Sequence, residues 1–383
     1  MKEDLSLQRW SGVDVDTNAI ESNTRHLVEQ SAPSSVWAVV KANGYGHGAL
    51  TVSRAAVAGG ASGLAVALVQ EAVELRHAGI ESRILVLSDQ PHEQYETLLD
   101  ANAEVMVYRS ESIDTLGAVA QQRGVIARVH LKVDTGMRRV GAEPASAEAL
   151  VARIQQHPNL QLVGVATHFA TADIPGHPGI AQQSDEFASV ISLVEPDIEI
   201  HMANSAAALS VPDSRHTFVR AGIALYGIDP STEATLDRDV FSAALRWWAR
   251  VSYVKVVEAR EHVSYGWRYQ TTRCTRLATI PVGYADGVPR RWSEVGGVVL
   301  IGARRRPVVG VVTMDQLVVD LGPEDASDPI DIGDEVVLIG RQGNEQLTVE
   351  EWAERLGTIG YEIVCQISGR VPRRAVGLPT EQS

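Results

Sequence analysis

One lysine stands where the chain could use it as a nucleophile. Lys41 follows the apolar run SVWAVV and precedes the glycine-rich sequence ANGYGHG. A lysine that is partly removed from water has a lowered pKa, and its neutral amine can form a Schiff base with a carbonyl compound. Gly44, Gly46 and Gly48 would let the following backbone bend tightly around a bound group. The alternative is a solvated lysine at a strand end, which is the commoner situation for this residue type.

Two segments near the middle of the chain could bind phosphate. Asn204 and Ser205 open the sequence NSAAAL, where a helix is expected to begin, and Arg220 opens RAGIALYG. Phosphate sites use helix N-termini, backbone N–H groups such as those freed at Gly222, and fixed cations. Ser205 could instead be an ordinary helix N-cap, and Arg220 a member of a structural ion pair. Together with Lys41, these segments indicate a phosphorylated cofactor with a carbonyl group, pyridoxal 5'-phosphate.

The elements that would position these residues are eight short apolar runs that we interpret as β-strands. Just past five of them come Lys41, Asp134, His168, Asn204–Ser205 and Arg220. Parallel strands that alternate with helices form a (β/α)8 barrel, and such barrels place their active sites at the C-terminal ends of the strands. A doubly wound open sheet would show the same alternation, but the count of eight favours a closed barrel. The eight runs are Val36–Val40, Leu64–Leu68, Ile84–Leu87, Val105–Tyr108, Ala127–Val133, Leu162–Thr167, Ile198–Met202 and Thr217–Val219.

The fold class is therefore α/β, with a TIM-type barrel over residues 11–246 and a second, mainly β domain over residues 247–383. Residues 1–10 are expected to pack on the second domain. One helix is predicted there, at Val349–Leu356. The strands predicted in this domain are Val251–Val257, Leu277–Val282, Gly297–Ile301, Val308–Val312, Gln316–Leu321, Glu335–Ile339 and Tyr361–Ile367. The helices predicted between the barrel strands are Thr17–Gln30, Val69–Ala78, Ser112–Gln121, Ala145–Gln156 and Gln182–Leu193.

Composition excludes several classes of function. The chain of 383 residues has a net charge of −14, which argues against nucleic acid or an anionic membrane as a partner. Its two cysteines, Cys274 and Cys365, give no zinc-binding spacing and no disulfide framework, so we expect no metal and a reducing, cytoplasmic location. The N-terminus lacks the apolar segment of a signal peptide. The apolar runs are shorter than the roughly 20 residues that span a bilayer.

The motif VVKANGYGHG resembles the lysine motif of the alanine racemase family, and nearly the whole chain is similar to that family in layout. The resemblance implies a pyridoxal-phosphate-dependent enzyme with the fold type III barrel. Its other motifs are LKVDTGMRRVG, THFATAD, HMANSAAAL, RAGIALYGIDP, VSYGWRY, IPVGYADGVPR, VVTMDQ and IGYEI.

The resemblance implies two catalytic bases. Lys41 would carry the cofactor as an internal aldimine and act as one base. Tyr265, in the motif VSYG, would be the other base and would reach the opposite face of the cofactor from the partner subunit of a homodimer with shared active sites. Racemisation removes a proton from one face of the α-carbon and returns it to the other, so two opposed bases suit it.

The same resemblance assigns the remaining site residues. Asn204 belongs to this cofactor site, and Tyr45, Ser205, Gly222, Ile223 and Tyr361 would surround the phosphate. Arg220 would face the pyridine nitrogen, with His168 linking it to Tyr265. Arg139 and the backbone of Met314 would hold the substrate carboxylate. Lys132 matches a position that is carbamylated in some members of the family, where it steadies the arginine.

The expected activity is the interconversion of L-alanine and D-alanine, as in D-alanine biosynthesis. Three alternatives stay open at this point. One is a racemase of broader specificity that also accepts serine, because a pocket discriminates a hydroxyl or methylene by only about 1–3 kcal/mol. Another is a decarboxylase on the same architecture. The last is a non-enzymatic pyridoxal-phosphate carrier, which would need only the barrel.

Overall fold

The computed structural model describes residues 9–231, 236–325 and 327–377. The chain divides into two compact units. The barrel unit is Asn18–Ala243, and the β unit combines the segment up to Thr17 with the chain from Ala244 onward.

The barrel unit contains eight parallel strands, and every strand predicted for it from the sequence is confirmed. The strand ends differ from the prediction by no more than two residues. In chain order, the first to eighth barrel strands are Ser35–Val39, Gly63–Val66, Arg83–Val86, Glu104–Val107, Ala127–Lys132, Leu160–Ala166, Glu199–His201 and Phe218–Ala221.

Hydrogen bonds around the last pair of strands make the sheet a nearly closed barrel. The first strand pairs with both the second and the eighth, and the sheet continues in chain order to the seventh. Between the seventh and eighth strands, Thr217 N–H donates to Ile200 O at 3.0 Å and Arg220 N–H donates to Ala203 O at 2.9 Å. The open doubly wound sheet is thereby excluded.

Helices form most of the connections between the barrel strands, because neighbouring parallel strands must be joined by long crossover segments. The predicted helices are confirmed with small shifts at their ends, whereas Ala49–Ala58 and Tyr95–Asp100 were not predicted. The helices are Thr17–Ser31, Ala49–Ala58, Val69–His77, Tyr95–Asp100, Ser110–Arg123, Ala147–Gln156, Gly179–Ile191 and Ser205–Ser210. Short 3₁₀ turns occur at His92–Gln94, Pro144–Ser146, Pro212–Ser214 and Ile223–Tyr226.

Arg220 lies inside the eighth strand, and its predicted position just past that strand was wrong. Its side chain points into the barrel, where His201 and backbone carbonyl groups accept its hydrogen bonds. A strand can therefore hold this charged residue in its interior, which an apolar pattern does not reveal.

The β unit is built on one long, mainly antiparallel sheet. Along the sheet, the strands follow the order Tyr253–Val257, Thr275–Ile280, Leu317–Gly322, Arg304–Val309, Val298–Ile301, Glu335–Gln342, Leu245–Arg250, Ser11–Asp16 and Arg373–Val376. Glu345–Leu347 pairs with Glu335–Gln342, and His262–Val263 pairs with Tyr269–Gln270. Further turns of 3₁₀ helix lie at Tyr265–Trp267 and Tyr284–Asp286.

The strand Ser11–Asp16 belongs to the β unit, although the sequence analysis placed it in the barrel domain of residues 11–246. It pairs antiparallel with Leu245–Arg250 and parallel with Arg373–Val376. Its acidic residue Asp14 is accommodated by hydrogen bonds from Trp248 Nε1 and Arg374 Nε. Long-range pairing of this kind leaves no local signal in the sequence.

The segment Tyr361–Ile367 is helical, and its prediction as a strand was wrong. The helices of the β unit are Val349–Leu356, as predicted, and Gly360–Gln366. Ile363, Val364 and Ile367 are buried. Ile363 and Val364 lie within the helix and Ile367 directly follows its end, and this tertiary burial outweighs the preference of β-branched residues for strands.

Within the described ranges, every helix is too short or too polar to span a lipid bilayer.

Candidate active site

Lys41 begins a left-handed turn at the end of the first barrel strand. Ala42 and Asn43 have φ angles of 52° and 54°, and Gly44 has 60°. Such angles cost of order 1–3 kcal/mol for residues other than glycine and occur mainly where the surrounding structure holds them. Gly44 N–H donates to Val40 O at 2.8 Å, and Asn43 Oδ1 accepts from Ala49 N–H at 3.0 Å. The lysine is thus presented by a tightly constrained turn.

Glu71 holds this turn against the loop after the second strand, and the sequence analysis did not identify it. Its Oε1 accepts from Ala42 N–H at 2.6 Å. Its Oε2 accepts from Ala67 N–H at 2.8 Å and from Leu68 N–H at 3.1 Å. An acidic residue in the first turn of a helix is a common helix-start signal, so its sequence context gave no sign of the contact with the lysine turn.

Ser205, Gly222 and Tyr45 come together in a small polar cradle. Ser205 Oγ accepts from Gly222 N–H at 2.8 Å and from Ala224 N–H at 3.3 Å. A Cβ atom on residue 222 would lie 2.6 Å from Tyr45 Oη, so the glycine leaves the space that this hydroxyl occupies. Ser205 Oγ accepts from two N–H groups to which a phosphate oxygen could equally be bound, and the serine hydroxyl can itself donate, so the cradle fits a phosphorylated cofactor.

Asn204, and not Ser205, caps the helix that follows the seventh strand. Asn204 Oδ1 accepts from Ala207 N–H at 3.0 Å. The alternative in which Ser205 is merely an N-cap is therefore wrong, and its hydroxyl faces the loop after the eighth strand. Ile223 follows Gly222 in that loop and is fully buried.

Arg220 is a buried cation held by several acceptors. Its Nη1 donates to His201 Nδ1 at 2.7 Å, and its Nη2 lies 2.9 Å from Thr167 O and 3.1 Å from Met202 O. Burial lowers the pKa of Arg220 to about 10, so the guanidinium still carries its charge at neutral pH.

His168 is held as a neutral acceptor beside Arg220. Arg220 Nη2 donates to His168 Nδ1 at 3.1 Å. Burial, reinforced by the charges of Arg220 and Lys132, lowers the pKa of His168 well below its usual range. Its proton therefore lies on Nε2. The link from Arg220 to His168 is present, while Tyr265 lies in the other unit.

Lys132 lies within electrostatic reach of three other cations. It is 7% exposed, and burial lowers its pKa to about 8, with further contributions from Arg220, Arg139 and Lys41. Asp134 acts in the opposite direction. Asp134 Oδ1 also accepts from the N–H groups of Gly136 and Arg138, at 2.9 and 3.0 Å, and so shapes the loop that carries Arg139.

Tyr265 occupies an unusual turn in the β unit and is 70% exposed in the single chain. Ser264 and Trp267 flank it with φ angles of 62° and 51°. Ser264 Oγ donates to Val311 O at 2.6 Å, and the Trp267 ring stacks on His262 at 4.8 Å. An exposed aromatic residue in a strained but well-supported turn is typical of a functional position.

Met314 and Tyr361 are the other predicted site residues of the β unit. The carbonyl oxygen of Met314 accepts from Ala285 N–H at 3.0 Å. A Cβ atom on Gly283 would lie 2.4 Å from that oxygen. The loop of the motif VVTMDQ can therefore pack this closely on the loop of GYADG only because residue 283 is glycine. Tyr361 lies in the first turn of helix Gly360–Gln366 and is half-buried.

Comparison with known proteins assigns the family. Residues 15–230 match the description "Alanine racemase, N-terminal domain", and residues 244–375 match "Alanine racemase, C-terminal domain". The chain belongs to the alanine racemase family. It is therefore an isomerase, as the sequence predicted. The alanine racemase of Symbiobacterium thermophilum is 45% identical over 97% of this chain and 98% of its own length. That of Frankia casuarinae is 38% identical over 94% and 95%.

Solved structures of the family share the whole architecture. The alanine racemase from the D-cycloserine producing Streptomyces lavendulae has a TM-score of 0.91 and 39% identity, and the match covers 97% of this chain and 98% of that one. A histidine racemase from Leuconostoc mesenteroides subsp. sake has a TM-score of 0.88 and 28% identity over 96% and 98%. One architecture therefore serves racemases named for different amino acids.

Proposed function

We propose that the chain interconverts L-alanine and D-alanine with pyridoxal 5'-phosphate as cofactor. The observation that carries the proposal is that Lys41, Arg139 and Arg220 lie near enough to Lys132 for their charges to act on it, in a chain that also forms the Ser205–Gly222 cradle and matches both domains of the family. When bound, the cofactor supplies a conjugated ring that acidifies the α-carbon of an attached amino acid.

Lys41 and Tyr265 are the proposed opposed bases. Lys41 Nζ would attach the cofactor and then exchange a proton with one face of the α-carbon. Tyr265 Oη would exchange a proton with the other face. Each group must be held within hydrogen-bonding reach of that carbon, which the constrained turns around both residues support.

Arg220 is proposed to face the pyridine nitrogen as a permanent cation. It donates hydrogen bonds and accepts none, so it discourages protonation of that nitrogen. His168, held by Arg220 at Nδ1, would donate its Nε2 proton to Tyr265 and so orient the tyrosine hydroxyl. Tyr45, Asn204, Ser205, Gly222, Ile223 and Tyr361 are the proposed residues around the phosphate end.

Arg139 and the backbone of Met314 are proposed to bind the substrate carboxylate. Lys132 lies close enough to Arg139 for the two charges to interact, and two cations repel each other. Carbamylation would convert Lys132 into an anion and would steady Arg139 instead.

We further propose a homodimer with shared active sites. The exposure of Tyr265 in the single chain supports this assembly, because a base that is 70% exposed gains a defined environment from a partner. We also propose a cytoplasmic location. It is supported by the exposed Cys274 and Cys365, which form no disulfide with each other.

A racemase of other or broader specificity is the second candidate. The structural likeness to the histidine racemase favours it, since the shared fold does not select the side chain. A carrier protein is disfavoured because the match extends through the β unit, which a carrier would not need.

Incubation of the purified protein with pyridoxal phosphate and a panel of L-amino acids, followed by chiral analysis, tests the proposal. We expect D-alanine as the main product and D-serine as a minor one. A different D-amino acid as the main product would favour the second candidate. If none of the L-amino acids is converted to its D-form, the proposed function is contradicted.

Tyr265→Phe tests the second base. Loss of the hydroxyl is expected to lower racemisation by about 10²–10⁴-fold in both directions, the usual contribution of a general base. Tyr253→Phe is the matched control, because Tyr253 is also an exposed tyrosine of the β unit. Release of carbon dioxide at an undiminished rate by Tyr265→Phe would point to a decarboxylase.

A further inference from the structure

Four buried side chains form a hydrogen-bonded chain through the interior of the barrel. Arg220 Nη1 donates to His201 Nδ1 at 2.7 Å, and His201 Nε2 lies 3.0 Å from His130 Nδ1. His130 Nε2 is 2.9 Å from Glu104 Oε2. Glu104 is the first residue of the fourth barrel strand, so the chain runs from the candidate site to the opposite end of the strands.

The two ends of this chain determine where its protons lie. A guanidinium only donates hydrogen bonds, and a carboxylate only accepts them. Since Arg220 donates to His201 Nδ1, the proton of a neutral His201 ring is on Nε2 and is donated to His130. The proton of His130 is then on its own Nε2 and is donated to Glu104. For two neutral rings, no other placement forms all three hydrogen bonds.

The charges along the chain agree with this placement. Burial and the charge of Arg220 lower the pKa of His201 well below its usual range, so that ring is neutral. Burial alone would raise the pKa of Glu104, but hydrogen bonds from His130 and Arg83 outweigh it and lower the pKa to about 2. The acceptor at the far end is therefore a carboxylate.

Arg83 explains why this far end is not a metal site. Glu104, His130 and Glu199 bring possible ligand atoms within 4.8 Å of one another. Arg83 donates two hydrogen bonds to Glu104 and two to Glu199, at 2.7–2.9 Å. The guanidinium thus provides the positive charge that a metal ion would otherwise supply.

Close packing fixes both rings. A Cβ atom on Gly164 would lie 2.2 Å from His130 Nδ1, so only glycine leaves room for that ring. Phe218 stacks on His201 with 4.2 Å between ring centroids, and Trp37 stacks on Phe218 at 4.7 Å. The sequence cannot show this arrangement, because its members come from different strands.

We infer that Glu104 and His130 are positioning residues for Arg220, acting through His201 by keeping its Nδ1 unprotonated. The inference rests on the proposed function in one respect, namely that Arg220 faces the cofactor. Without an acceptor at position 104, His130 can hold its proton on Nδ1 and donate to His201. The His201 proton then lies on Nδ1 and meets a donor of Arg220, so the guanidinium must move.

Glu104→Gln and Glu104→Leu separate this role from that of a structural ion pair. Both variants lose the charge that pairs with Arg83, but glutamine keeps an oxygen that can accept from His130. For Gln, kcat on L-alanine should stay within about twofold of wild type. For Leu, kcat should fall about tenfold or more, which is the usual effect when a metal-binding histidine loses the hydrogen-bond partner that orients it. KM should change little in both. Equal losses in the two variants would refute the inference.

Histidine ¹⁵N NMR of the full-length protein, with and without pyridoxal phosphate, reads the protons directly. His201→Asn and His130→Asn would assign the signals. In wild type and Glu104→Gln, His201 Nδ1 should be unprotonated from about pH 6 to about pH 9, around the usual histidine pKa. In Glu104→Leu, it should be protonated.

A protonated Nδ1 in wild type, or unchanged signals in Glu104→Leu, would overturn the inference. Should Glu104→Leu not fold, Glu104→Ala takes its place, with the same expected fall in kcat and the same protonated His201 Nδ1. The NMR result needs neither cofactor nor substrate, so it stands even if the protein fails to racemise alanine.

Discussion

At Lys132, burial and neighbouring charge act in the same direction. The side chain is 7% exposed, and its pKa is lowered from 10.5 to about 8, first by burial and then by Arg220, Arg139 and Lys41. The charged form of Lys132 is therefore less stable in the folded chain than in the unfolded chain, and two measurable consequences follow.

The first consequence is a pH-dependent stability. Between about pH 8 and pH 10.5, the unfolded chain binds a proton at Lys132 that the folded chain does not, so stability rises with pH. One pKa unit corresponds to about 1.4 kcal/mol of free energy. Lys132→Met should therefore be more stable than wild type by up to about 3 kcal/mol at neutral pH. The difference should shrink toward about pH 10. Urea unfolding in CO2-free buffer measures it.

The control for this prediction is Lys255→Met, which removes an exposed lysine of the β unit. Its effect on stability should not depend on pH in the same window. A constant difference between wild type and Lys132→Met at every pH would contradict the assignment of the shift to Lys132.

The second consequence is reactivity toward carbon dioxide. A lysine with a pKa of about 8 is partly neutral at physiological pH, and a neutral amine adds CO2 and releases a proton. The resulting anion would be stabilised by Arg139 and Arg220. With ¹³C-bicarbonate, wild type should show a ¹³C carbamate signal in NMR that Lys132→Met lacks. The same signal in both proteins would place the carbamate elsewhere.

At the level of single residues, the sequence identified those that lie near the C-terminal ends of strands. Lys41, Ser205 and Arg220 were found because apolar runs mark where strands stop. Glu71 and His201 were not found, because the contacts that matter join residues far apart in the chain. When a glutamate lies in the first turn of a helix or a histidine lies in an apolar run, the neighbouring sequence does not indicate its hydrogen-bond partner.

Among the elements, the turn that begins at Lys41 depends most on a single outside contact. Glu71 accepts from Ala42 with one oxygen and from Ala67 and Leu68 with the other. Glu71→Gln replaces one acceptor with a donor, so one of these N–H groups loses its partner. Hydrogen bonds to charged groups contribute about 1.5–3 kcal/mol, and a loss of stability in that range is expected.

Glu71→Gln is also expected to weaken cofactor binding, because the strained turn would relax away from its left-handed form. Fluorescence titration with pyridoxal phosphate measures the affinity. Glu74→Gln is the matched control, since Glu74 is an exposed residue of the same helix. Equal effects of the two changes would show that Glu71 does not support the turn.

The type of an element could be predicted from the sequence wherever burial of the element set the spacing of its apolar residues. Most barrel strands have an apolar centre, as expected for strands that are buried on both sides, although Ala127–Lys132 and Phe218–Ala221 also contain charged residues. Tyr361–Ile367 was assigned wrongly because a short apolar segment fits a strand or a buried helix equally well. Ser11–Asp16 escaped prediction because it is short and its partner strands lie far away in the chain.

On the scale of the whole molecule, the strand Ser11–Asp16 is decisive for the β unit. Val13 is fully buried within an interior strand, whereas Val256 is 59% exposed on the strand at the edge of the sheet. Val13→Asp buries an unpaired charge, which costs several kcal/mol, and should unfold the β unit. The matched change Val256→Asp should alter stability by about 0.5 kcal/mol or less.

Tryptophan fluorescence during urea unfolding distinguishes these two variants. Trp292 and Trp352 stack at 4.0 Å in the core of the β unit, and Trp247 lies 5.9 Å from Trp352. Their emission should report an unfolded β unit in Val13→Asp before urea is added. Native emission from Val13→Asp would mean that the sheet tolerates the charge.

The pairing of Ser11–Asp16 also sets an order of events during translation. This strand leaves the ribosome before the barrel unit, whereas its partner Leu245–Arg250 follows the barrel unit and its partner Arg373–Val376 comes later still. The barrel unit lies between them in the chain and can fold as it emerges. Until Leu245–Arg250 has emerged, both edges of the early strand are unpaired, and unpaired strand edges expose a nascent chain to aggregation and to chaperones.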